Sequence, residues 1–66
     1  MKNFIQIKDM DNHIHYISIN YIVNIHEALG SFPGHYSTDI VTVNTSIRCS
    51  LEISEVIKLI QKVSEN

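Results

Sequence analysis

Residues 39–63 read DIVTVNTSIRCSLEISEVIKLIQKV, and the hydrophobic period changes part-way along them. Asp39–Val43 carries Ile40, Val41 and Val43, a β-branched run that favours a strand. Asn44-Thr45 makes a short turn. Ser46–Ser50 then alternates, with Ile47 and Cys49 on one face and Ser46, Arg48 and Ser50 on the other. Leu51 continues the apolar face. Beyond it, Ile53, Val56, Ile57, Ile60 and Val63 recur at helical spacing, with Leu59 widening the stripe. Ser50 or Glu52 can open this helix. Glu52 and Glu55 suit its positive N-terminal end, Lys58 and Lys62 suit its negative C-terminal end, and Glu55 pairs with Lys58 three residues on. A hairpin followed by a helix that packs on it sets the class as α+β.

Upstream the period is two. Ile5 and Ile7 alternate with Gln6 and Lys8 in a strand over Phe4–Lys8. Asp9-Met10-Asp11-Asn12 is turn-prone, because Asp and Asn side chains bond their own backbone. His13–Ile19 is the second strand of that hairpin, and Ile22–His26 is a third, after a turn or single helical turn at Ile19-Asn20-Tyr21. Glu27 to Thr38 holds both glycines and the only proline and reads as a long loop or a hairpin with a long tip. The expected architecture is a small antiparallel β-meander of about five strands, its closure into a barrel-like shape left open, with one C-terminal α-helix. The whole chain, 1–66, is expected to form one domain.

Composition narrows the function classes. The chain has 66 residues, five basic and seven acidic side chains, four histidines and one cysteine. No run reaches the ~18 apolar residues of a membrane span. No apolar signal region follows Met1-Lys2. A single cysteine excludes an internal disulfide. These point to a protein of the cytoplasm that does not insert into membranes. Lys2, Lys8, Arg48, Lys58 and Lys62 are scattered over different elements, and only Lys8 and Arg48 are expected to share a sheet face, so nucleic-acid binding is the alternative rather than the first reading. A chain this short, rich in isoleucine and without a staple, is expected to gain stability from a second copy of itself; the expected partner is a homo-oligomer mate, with any other protein partner open.

Few residues suggest chemistry. No Ser-His-Asp order, glycine-rich phosphate cradle or paired carboxylates can be assembled, so no catalytic residue and no cofactor is expected. His13 and His15 fall on one face of a strand, about 7 Å apart, close enough to share a transition metal, with His26 or His35 able to join. The simpler reading is a polar strand face beside an aspartate-rich turn. Asp9, Asp11 and Asn12 open like a calcium loop, but the required glycine and the closing glutamate are missing, since Asn stands at position 20. Cys49, flanked on its face by Ile47 and Leu51, reads as a small core residue. Phe32, His35 and Tyr36, in the long loop, are the candidate binding residues, because aromatic side chains on loops mark interaction surfaces; capping an open end of the sheet is the equal alternative.

Two stretches resemble a known family. Ile17-Ser18-Ile19-Asn20-Tyr21-Ile22-Val23-Asn24-Ile25, and later Ile40-Val41-Thr42-Val43, Ile47-Arg48-Cys49 and Glu55-Val56-Ile57, are similar to the small flagellar proteins called FlbD, or SwrD in swarming Bacillus. The chain departs from that pattern at the Asn44-Thr45 turn, where the family usually has glycine, and in the insert of residues 30–36. The resemblance implies a compact β-rich fold with no known enzymatic activity. Arg48-Cys49-Ser50-Leu51 also resembles part of the opening half of LytTR-type DNA-binding domains, which continue well beyond the length of this chain.

Overall fold

The computed structural model describes residues 3–28, 30 and 37–64. Strands β1 (Phe4–Lys8) and β2 (Ile14–Ser18) form a hairpin. A 3-10 turn, Ile19–Tyr21, leads into β3 (Ile22–Glu27), followed by β4 (Thr38–Thr42), β5 (Ser46–Cys49) and helix α1 (Ile53–Ser64). The class is α+β, and every strand pairing is antiparallel. The 3-10 turn divides the strands into two sheets, β1-β2 and β3-β4-β5. They touch where the Asp9 end of β1 meets Cys49 of β5, with Met10 N–H donating to Arg48 O at 3.1 Å. Val43 N–H donates to Tyr21 O at 3.0 Å, extending the β3-β4 pairing one step past Ile22 and Thr42. Among the described residues no ladder joins β2 to β3, so the strands curl without closing a barrel.

The inward faces follow from the register. Ile5 lies opposite Ile17, and Ile40 opposite Ile47. With Ile7, Cys49 and Val56 these residues form the buried cluster, in which Ile40, Cys49 and Val56 have no exposed surface. Cys49 is thus the core residue its neighbours suggested. Strands β3 and β4 run further into the expected loop than composition indicated, because Glu27 and Thr38 pair across the ladder. Thr38 is buried there, and its hydroxyl donates to Leu51 O at 2.7 Å, tying the β5–α1 connection to β4. Gly30 has φ +89°, a left-handed backbone that side chains disfavour.

Helix α1 starts as a half capping box: Glu52 N–H donates to Glu55 Oε1 at 3.3 Å. Val56 is its fully buried residue, and Leu59, Ile60 and Val63 pack against the core. Ile53 and Ile57, on the margin of the apolar stripe, stay partly exposed.

Candidate functional site

The tip of the β1-β2 hairpin is organised by one carboxylate. Asp9 Oδ1 accepts the backbone N–H of Asp11 at 2.8 Å and of His13 at 2.9 Å. Its other oxygen lies 2.7 Å from His15 Nε2 and 3.8 Å from His13 Nδ1. Asn12 takes a φ of +68°, which closes the turn and lets Asn12 N–H reach Asp9 O at 3.1 Å. The hydrogen bond from His15, and after it the His13 backbone, hold the Asp9 carboxyl below its ordinary range. The aspartate-rich stretch is therefore a side-chain-locked turn. His13 and His15 do approach a common atom, but that atom is Asp9 Oδ2, which His15 already engages at 2.7 Å while His13 stays at 3.8 Å. Among the described residues no three His, Cys, Asp or Glu side chains gather as a metal site.

His15 also stands midway along an open cleft between the sheets. One half is a groove of about 310 Å³ lined by Phe4, Tyr16, Ile17 and Tyr21, with Thr42, Asn44 and Thr45 of the β4–β5 turn opposite. The other half, about 260 Å³, is polar and lies among Asp9, Asp11, Ser46 and Arg48. His15, Thr45 and Ile47 line both. The aromatic half is exposed: Tyr16 retains 57% and Tyr21 59% of its accessible surface.

The outward face of the three-stranded sheet carries a row of polar side chains around one ion pair. His26, Asp39 and Arg48 sit side by side on β3, β4 and β5. Arg48 donates from Nε to Asp39 Oδ1 at 2.8 Å and from Nη2 to Oδ2 at 3.3 Å, and His26 Nε2 lies 3.9 Å from the same carboxylate. This fork keeps the Asp39 carboxyl below, and the Arg48 guanidinium above, their ordinary values. Arg48 is thereby committed to Asp39. Burial pushes the Cys49 thiol up, which disfavours its reactive thiolate.

Of the residues singled out from sequence, the structure brings His13 and His15 together at Asp9. Phe32, His35 and Tyr36 lie outside the described residues. Sequence reasoning missed Phe4, Tyr16 and Tyr21 as one aromatic surface. The signal was present in β2, where Ile14 and Tyr16 make the outward face as apolar as the inward one. The chain matches no family model, no curated protein and no solved structure.

Proposed function

We propose that this chain is a non-enzymatic protein-interaction module that associates with copies of itself. The observation that carries this reading is the open aromatic groove, with Phe4, Tyr16 and Tyr21 left in contact with water beside it. Contiguous exposed apolar surface on a small protein marks an interaction site. The β1-β2 sheet supports it too, since a two-stranded hairpin gains stability from further strands or packing. The resemblance to the small flagellar proteins is in keeping with a non-enzymatic role. The nucleic-acid alternative loses ground because Arg48, one of its two basic residues, is taken up by Asp39. A free thiol in the core, Cys49, suits the reducing cytoplasm. Sedimentation equilibrium of the purified chain tests the reading. Association in the micromolar range is expected; a single monomeric species up to tens of micromolar would overturn it.

A further inference from the structure

The hydrogen-bonding pattern of the hairpin shows which groups of β2 face outward. Ile19 N–H donates to Asn3 O at 2.7 Å, and Asp9 N–H to His13 O at 2.9 Å. Both pairs belong to the β1-β2 register, and antiparallel ladders alternate between bonded and non-bonded pairs. Ile17 and His15 therefore bond to β1, whereas Ile14, Tyr16 and Ser18 turn their N–H groups to the free edge. Among the described residues none of those three N–H groups has a partner.

The edge strands β2 and β3 are treated differently. β3 is irregular between Ile22 and Asn24 and exposes His26 and Glu27, features that blunt an edge against pairing. β2 has no bulge, no proline and no Asp, Glu, Lys or Arg. It is a regular unpaired strand beside an apolar groove.

Resting on the self-association proposed above, we propose that β2 pairs antiparallel with β2 of a second copy, about a two-fold axis at Tyr16. This register is the one in which all three outward residues find partners: Tyr16 meets Tyr16, and Ile14 meets Ser18 in both directions. The result is a continuous four-stranded sheet, β1-β2-β2-β1. Directly opposed residues share a face. Ile14 and Tyr16 of both copies thus meet at the centre of the outer face, with Gln6 and Lys8 towards the rim. Lys8, which pairs with Ile14, lies in one copy at the end opposite to Lys8 of the other, so no like charges face each other. The uncharged edge matches its own copy better than it matches a charged peptide.

Two kinds of variant test this pairing against the wild-type association constant. Tyr16→Pro removes an outward N–H but no bond within the hairpin, a position where edge strands tolerate proline. Tyr16→Lys keeps the N–H and places two cations opposite each other. Each should weaken association about tenfold or more, while circular dichroism shows the monomer folded. Tyr16→Cys should form an intermolecular disulfide on mild oxidation, since opposed bonded residues lie about 5.5 Å apart between Cα atoms. Gln6→Cys, a strand further out in each copy, should not. If the wild-type chain associates but Tyr16→Lys associates equally well and Tyr16→Cys fails to cross-link, the β2 pairing is wrong and the self-association stands. If the wild-type chain is a monomer, both fall.

Discussion

Trimming Ile40 tests where stability resides. Ile40 is the middle residue of the central strand of the three-stranded sheet, has no exposed surface, and lies between Ile25 and Ile47 in the register. Ile40→Val removes one methylene and should cost about 0.5–1.5 kcal/mol, and Ile40→Ala about 2–5 kcal/mol, through lost burial and the cavity left behind. A chain of 66 residues has a total stability of roughly 3–10 kcal/mol, so the alanine variant removes a large share of it. The valine variant is therefore the quantitative probe. At about 4–8 °C per kcal/mol for a domain of this size, its melting temperature should fall by roughly 2–12 °C. Val43→Thr, one residue beyond β4 and 63% exposed, is the control and should change stability by no more than about 0.5 kcal/mol. Thermal melts by circular dichroism should be run at one fixed concentration, because association with a second copy makes the midpoint concentration-dependent. Equal melting of Ile40→Val and wild type, or a larger loss from Val43→Thr, would refute the placement of the core.

Two further changes probe the polar anchors. Asp9 is held below the ordinary aspartate value in the folded chain, so its ionised form contributes stability at neutral pH that fades as pH falls through the ordinary value and is gone below the folded one. Asp9→Asn should lower the urea midpoint at neutral pH and flatten its acid dependence; equal acid slopes for the two proteins would remove Asp9 as the organiser of the hairpin tip. Thr38→Val keeps the shape of the side chain but deprives Leu51 O of its donor, and should cost about 1–3 kcal/mol by chemical denaturation. A cost near zero would show that the hydroxyl does not tie α1 to the sheet.

The strands and helix were legible because their apolar spacing is clean. Phe4–Lys8 forms as the alternation of Ile5 and Ile7 requires, and Val56, Ile60 and Val63 face the core as their helical spacing requires. The edges of elements were less legible where polar side chains decide them. His13 leaves its strand because its N–H bonds Asp9, and Ile19 leaves the same strand to begin the 3-10 turn. Glu27 and Thr38 join β3 and β4 through backbone pairing, which their side chains do not announce. The separation into two sheets, and the meeting of Asp9 with Cys49, depend on contacts between distant segments that no local period encodes. The candidate site followed the same rule. His13 and His15 stand out in sequence, but the carboxylate that gathers them is visible only in the folded turn. Phe4, Tyr16 and Tyr21 come from three separate elements, and only the fold joins them.

Residue-resolved amide hydrogen exchange at low and high protein concentration tests the central claim, that the free edge of β2 is completed by a second copy. Exchange at Ile14, Tyr16 and Ser18 should slow as concentration rises, while His15 and Ile17, already bonded to β1, change little. Fast exchange at Ile14, Tyr16 and Ser18 at every concentration would contradict it.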